Sequence, residues 1–209
     1  SHPGAAVVTL AGADDASITE APRASEASEL VARGWAHLRS GALLEASDAV
    51  SAFQAATVIA PTSAAAYAGL ALAKLAQATT NRPVLVEAYG EAKAAALRAL
   101  ALDAESADAQ VALGEVMVVA EWDWIAAERS FRRALAINPN HADAYLLYGQ
   151  LMEMRGDLER GFQLKLQGLE CDSTSALAHM QIATSFWSQR RYDDVIAWAN
   201  KALDRNPHH

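Results

Sequence analysis

An all-α solenoid of stacked helical hairpins is the fold class this sequence predicts, and three observations predict it. Ala142–Ser175 and Ala176–His209 superimpose at a fixed offset of thirty-four residues without a gap, each outlining helix, turn, helix. A repeat of that length forms one hairpin that cannot bury its own apolar face, so copies stack. Small and aromatic residues recur at spacings of four and three, as in Ala127, Phe131 and Ala134, which places them on one helical face. Asn138-Pro139 and Asn206-Pro207 close two of the hairpins, because proline lacks the N–H a continuing helix needs.

The solenoid is expected over residues 25–207, with repeats at 27–63, 64–106, 107–141, 142–175 and 176–209. In the first, Gly34-Trp35 and Leu38 lie on one helix and Gly41 opens the turn. Ala49, Phe53, Ala56 and Pro61 mark the second helix after a short insertion. In the second, Tyr67, Leu70-Ala71 and Leu75 lead to the breaker Ala78-Thr79-Thr80-Asn81-Arg82-Pro83, and Ala92, Ala96 and Ala99 carry an alanine-rich helix to Asp103. That insertion either lengthens both helices or makes a protruding loop.

The third repeat has Gly114 as the small residue where its helices cross. The fourth turns at Arg155-Gly156-Asp157 after Tyr145 and Tyr148-Gly149, and then places Gly161, Lys165 and Gly168 where the third has Ala127, Phe131 and Ala134. An interior glycine costs roughly 1 kcal/mol against alanine, so this hairpin is expected to be the softest. The fifth reads Ile182-Ala183, Phe186, a turn at Arg190-Arg191-Tyr192, then Val195 and Ala202. Five hairpins, ten helices and essentially no strand are expected. Residues 1–24 show no sustained helical period and have a linker's composition, so a flexible N-terminal tail or linker is expected there. Val7, Val8, Leu10 and Ile18 give that tail enough apolar surface to occupy a groove as a stand-in for a ligand.

Composition narrows the function. The 209 residues are 52% hydrophobic and 20% charged, enough for a continuous core. A net charge of −8 repels phosphate backbones, and Arg132-Arg133 and Arg190-Arg191 are isolated basic pairs, so direct nucleic-acid binding is not expected. Ser51–Ala73 is uncharged, but Pro61-Thr62-Ser63 divides it into two soluble helices, and no membrane insertion is expected. Cys171 is the only cysteine, which rules out an intramolecular disulfide and a thiolate cluster. It stands where other repeats have Ile59, Leu102 and Ile137, and is read as a small packing residue. The start at Ser, the absence of a basic leader before Ala5-Ala6-Val7-Val8 and a terminal His208-His209 suggest a piece of a larger chain. The expected location is cytoplasmic, with the periplasm as the alternative.

Enzyme chemistry has no foothold in the sequence: it contains no glycine-rich phosphate loop, GxSxG or HExxH, and Asp14-Asp15 and Asp193-Asp194 need only solvation or a helix start. His37, His141 and His179 are spread over three hairpins without the paired spacing of a metal site. No cofactor is expected. Asp123 is placed to cap a helix, with Trp122 and Trp124 wedging the turn against the next repeat.

The small residue at the helix crossing, the aromatic that follows and the exit proline resemble the tetratricopeptide repeat family. The resemblance implies a right-handed α-α superhelix. Ala64-Ala65-Ala66-Tyr67-Ala68-Gly69-Leu70-Ala71, Ala92–Leu100 and Trp122-Asp123-Trp124-Ile125-Ala126-Ala127-Glu128-Arg129-Ser130-Phe131-Arg132-Arg133-Ala134 further resemble repeat regions attached to bacterial winged-helix transcriptional regulators, adenylate or guanylate cyclases and protein kinases. The second resemblance implies a regulatory or sensory interaction module, with the effector outside this sequence.

In such repeats the first helix of each hairpin lines the concave side. Projection then offers Val31, Trp35 and Leu38, next Ala68, Leu72 and Leu75, then Val111, Glu115 and Val118, followed by Leu146, Gln150 and Met154, and finally Met180, Thr184 and Trp187. Burial between neighbouring hairpins is the alternative for many of them. The lysine, arginine and asparagine with which the co-chaperone branch grips a peptide carboxylate are missing. The partner expected is therefore a protein or peptide with apolar anchors held in the concave groove. Self-assembly through the solenoid ends, at Val195 and Trp198, and a small apolar-ligand sensor are the alternatives.

Overall fold

The computed structural model describes residues 15–40, 45–80 and 85–205, with side chains from Arg23 onward except those of Ser40, Thr79, Thr80, Leu85 and Val86. The helices are α1 (Asp15–Ser40), α2 (Ala46–Ile59), α3 (Ala64–Thr80), α4 (Leu85–Leu102), α5 (Ala107–Val116), α6 (Trp124–Ile137), α7 (Ala142–Met154), α8 (Leu158–Cys171), α9 (Ala176–Ser188) and α10 (Tyr192–Arg205). Consecutive helices pair as hairpins, and each hairpin packs on the next. Among the described residues there is no strand. The fold is an all-α helical solenoid. The turn expected at Gly41, the exit at Asn206-Pro207 and residues 1–14 of the tail lie outside the described residues.

Local chemistry sets the helix starts. Ser63, Ser106 and Ser175 each accept a hydrogen bond from the backbone N–H three residues on, and His141 Nδ1 does the same at α7. Asp123 and Asp157 cap α6 and α8 in the same way, at 2.9 and 3.2 Å. The core follows the spacing seen in the sequence: Phe53 and Phe131 are fully buried. A methyl added at Gly34 or Gly69 would stand within 2.6 Å of the Phe53 ring, and one at Gly114 would stand 2.6 Å from that of Phe131.

Several details refine or correct the expectations. α1 begins at Asp15, inside the segment read as a tail. Of the two outcomes expected for the insertion in the second hairpin, the helices lengthen: α3 has 17 residues and α4 has 18, against 13 or 14 in the fourth and fifth hairpins. The glycines of the fourth hairpin permit close approach. A methyl at Gly149 would stand 2.6 Å from the Gly161 carbonyl oxygen, and one at Gly161 would stand 2.7 Å from that of Gly149. The aromatic position is filled by Lys165, only 1% exposed and bonded to Glu153, Ser185 and the Gln181 carbonyl. Cys171 is exposed rather than packed.

Trp122 is not a wedge. It is 70% exposed, and its backbone adopts φ 57°, the left-handed conformation. Gly156 (φ 91°) and Arg190 (φ 58°) occupy the same place one and two repeats later. The turn between paired helices thus demands a left-handed residue at a solvent-facing position. Trp124 does pack inward, against the cluster of Val118, Ala127, Phe131 and Tyr148.

Candidate binding groove

α1 packs on α3, α3 on α5, α5 on α7 and α7 on α9, so the odd-numbered helices form a continuous inner layer. Their facing sides bound a cavity of about 510 Å³. Trp35, Leu38 and Arg39 enter it from α1, and Leu72, Leu75 and Ala76 from α3. α5 contributes Val111 and Glu115, and the π-helical turn that extends it, Met117–Glu121, contributes Val118 and Val119. Asp143, Leu146, Leu147 and Gln150 come from α7, and Leu177 and Gln181 from α9. Tyr89 of α4 and Phe131 of α6 reach the cavity from the outer layer.

The cavity brings together most of the residues projected from the sequence on α1, α3, α5 and α7: Trp35, Leu38, Leu72, Leu75, Val111, Glu115, Val118, Leu146 and Gln150. Others lie elsewhere. Val31 belongs to the cluster of Ala49, Val50, Phe53 and Ala73, and Ala68 is buried against Ala99 and Ala109. Met154, Met180 and Thr184 are exposed away from the cavity, and Thr184 donates to the Gln181 carbonyl. Trp187, 65% exposed, stands edge to face with Tyr192. On α9 the cavity is met by Leu177 and Gln181, a neighbouring row of the helix. Leu177 and Gln181 stand thirty-four residues after Asp143 and Leu147, a second row of the inner layer that projection at one fixed set of repeat positions leaves out.

Many of these side chains do two jobs. Leu75, Val111 and Leu146 are almost fully buried and hold hairpins together, whereas Trp35, Leu38, Leu72, Glu115 and Gln150 are half-buried and present surface to the cavity. Trp35 is fixed edge to face on Phe53, with ring centres 5.6 Å apart.

The cavity floor is acidic. Glu115 keeps an edge toward the open space while protein surrounds it otherwise. Burial pushes its carboxyl up to about 7, and the charge of Asp143 adds to the rise. Burial also raises the Asp143 carboxyl, against the lowering effect of His141. Asp143 has exposed area, so water screens it more than Glu115, and Glu115 carries the weight of the acidic floor. Burial and the nearby Glu115 charge raise the Tyr89 hydroxyl. Beside the floor, burial lowers the His141 imidazole, but its 3.0 Å bond to Asp108 more than compensates and the net direction is up.

Residues 130–163, the latter half of α6, all of α7 and the first part of α8, match the family model for a tetratricopeptide repeat. The chain thus contains a tetratricopeptide repeat. No curated protein matches it. Among solved structures, the chain is similar to a thermophilic TPR protein of Thermus thermophilus, with 19% identity, 87% of this chain and 92% of that one covered, and a TM-score of 0.68. It is also similar to Pseudomonas aeruginosa pilF, at 17% identity over 88% of this chain and 78% of that one, TM-score 0.58. A human IFIT1 dimer with m7Gppp-AAAA aligns at 18% identity, 83% and 42% coverage, TM-score 0.64. These likenesses show the tetratricopeptide-repeat fold. Within the described residues, no helix is long and apolar enough to cross a membrane, and no group of three His, Cys, Asp or Glu side chains is placed to hold a metal ion.

Proposed function

We propose that this chain is a protein-interaction module whose concave groove takes an apolar or amphipathic segment of a partner protein. The observation that carries this reading is the continuous cavity along the inner layer, walled by Leu38, Leu72, Val118 and Leu147 from successive hairpins. Burying one Leu-, Phe- or Met-sized ligand side chain contributes roughly 1.5–3 kcal/mol, so two or three anchors support micromolar affinity after ordering costs. The resemblance to repeat regions of bacterial regulators supports a regulatory or sensory role within a larger signalling or transcription protein.

Selection of a phage-displayed random dodecapeptide library on the purified chain tests the groove. Peptides that bind wild type should lose binding to Leu72→Glu and to Val119→Glu, whose side chain is already exposed at the cavity wall. Leu97→Glu, on the outer helix α4 and 48% exposed, should leave binding unchanged. Equal effects from all three folded variants would refute the groove. A second reading, self-assembly through the last hairpin, is favoured by Ile196 and Leu203, which lie 60% and 46% exposed on α10. Its check is a sedimentation profile that Ile196→Glu with Leu203→Glu shifts to monomer.

A further inference from the structure

We propose that the segment held in the groove carries an arginine or lysine among its apolar anchors, and that this base pairs with Glu115 on the cavity floor. The inference rests on the reading of the cavity as a peptide groove and specifies what that groove selects.

The argument starts from the cost of Glu115. At the inner-face position that Leu72 fills in the second hairpin and Gln150 in the fourth, the third hairpin places a carboxylate. A carboxylate walled by apolar side chains loses hydration and gains nothing for the fold unless a partner compensates it. Other glutamates of the later hairpins have partners: Glu121 with Lys93, Glu105 with Arg133, Glu128 with Tyr148 and Arg155, and Glu153 with Lys165. Among the described residues Glu115 has neither an ion pair nor a hydrogen bond; its electrostatic neighbours are Asp143 and Tyr89, which do not neutralise it.

The groups facing it complete the picture. Tyr89 comes from α4 and Asp143 from α7, while Gln150 and Gln181 are neutral. Arg39, the cation that α1 brings to the cavity, donates through Nε to the Trp35 carbonyl at 3.2 Å. The floor is therefore acidic and its walls apolar. The complement is a cation carried on an apolar stem or flanked by apolar side chains, a description that arginine and lysine satisfy. A net charge of −8 steers such a segment toward the molecule. The chain's own residues 1–14 contain no Lys or Arg and do not match this demand.

The same library selection decides the matter when run on wild type, Glu115→Gln and Leu72→Glu. Wild type should enrich peptides with Arg or Lys beside Leu, Ile, Phe or Trp, and Glu115→Gln should enrich apolar peptides without the base. A basic peptide so selected should bind Glu115→Gln about tenfold more weakly at pH 8. It should also bind wild type about tenfold more weakly at pH 6 than at pH 8, since a carboxyl titrating near pH 7 loses most of its charge over that interval. Norleucine in place of its base should cost as much as Glu115→Gln does. If the selected peptides need Leu72 but show no basic enrichment, the inference fails while the peptide groove stands. If no peptide depends on Leu72 or Val119, the groove reading itself fails. If deleting residues 1–14 releases the groove to base-free peptides, the N-terminus is the occupant and the proposal is overturned.

Discussion

Replacing Lys165 with methionine tests what joins the fourth hairpin to the fifth. The ammonium is 1% exposed and donates to Glu153 Oε2 at 2.7 Å, to Ser185 Oγ at 3.0 Å and to the Gln181 carbonyl at 3.0 Å. Ser185 in turn donates to Glu153 Oε1 at 2.5 Å, so α7, α8 and α9 meet in one closed polar cluster. Desolvation lowers the lysine pKa and the Glu153 carboxylate opposes it, which is the signature of a charge held by its partner. Methionine fills nearly the same volume but leaves the carboxylate buried without a counter-charge, a loss of about 3–5 kcal/mol. In a solenoid that loss is local. Amides of α9 and α10 should exchange faster by two to three orders of magnitude, at about 1.4 kcal/mol per decade, while those of α3 and α4 keep their rates. Adding Glu153→Leu to Lys165→Met should restore most of the stability, because the orphaned charge is then gone. Hydrogen exchange and urea unfolding at pH 7 measure both effects. A single variant within about 0.5 kcal/mol of wild type, or a double variant no better than the single, would refute the account.

Three further outcomes follow from named contacts. Gly149→Ala should cost about 1–3 kcal/mol in urea unfolding, because its methyl meets the Gly161 carbonyl, whereas Gly90→Ala, with open space around it, should stabilise by about 0.5–1 kcal/mol. Trp122→Gly should raise stability by about 1 kcal/mol, since it relieves a left-handed residue at a solvent-facing turn. Glu115 binds its proton more tightly in the folded chain, near 7 against 4.5 when unfolded, so stability should fall as pH rises from 4.5 to 7 and level off above. Glu115→Gln should remove up to about 3 kcal/mol of that slope in parallel urea titrations, the upper bound set by 1.36 kcal/mol per pKa unit.

Period and spacing carried the architecture, because a hairpin repeat writes its core face at fixed intervals: Gly34, Gly114, Phe53 and Phe131 could be placed from sequence alone. Two kinds of feature escaped. The partners of Lys165 lie on α7 and α9, and a lysine at an aromatic position looks like a defect until Glu153 and Ser185 are seen to close around it. The left-handed turn at Trp122 was hidden because, among the described turns, the usual marker, glycine, appears at that place only in Gly156. Alignment of the repeats on Gly156 would have flagged Trp122 and Arg190 as strained, exposed turn residues rather than packing ones. For the cavity, Leu72, Glu115 and Gln150 were legible from the inner-helix spacing. Leu177 and Gln181 were not, because they continue the row of Asp143 and Leu147, a second inner row that the projected spacing did not include.

If the groove holds a partner as proposed, the division of labour within the inner layer locates its selectivity. Leu75, Val111 and Leu146 bound the cavity but are buried between hairpins, so a change there disturbs the stack before it alters recognition. The half-buried row of Leu72, Glu115 and Gln150 faces the open space and can vary at little cost to the core. Across three successive hairpins that row presents an apolar group, a carboxylate and an amide. A segment held as proposed would meet these in order, with the one charged step in the central hairpin, flanked by apolar walls on both sides. A solenoid can therefore keep one scaffold and change its partner by substitutions confined to one position per repeat, and in this chain the substitution that departs furthest from an apolar wall is Glu115.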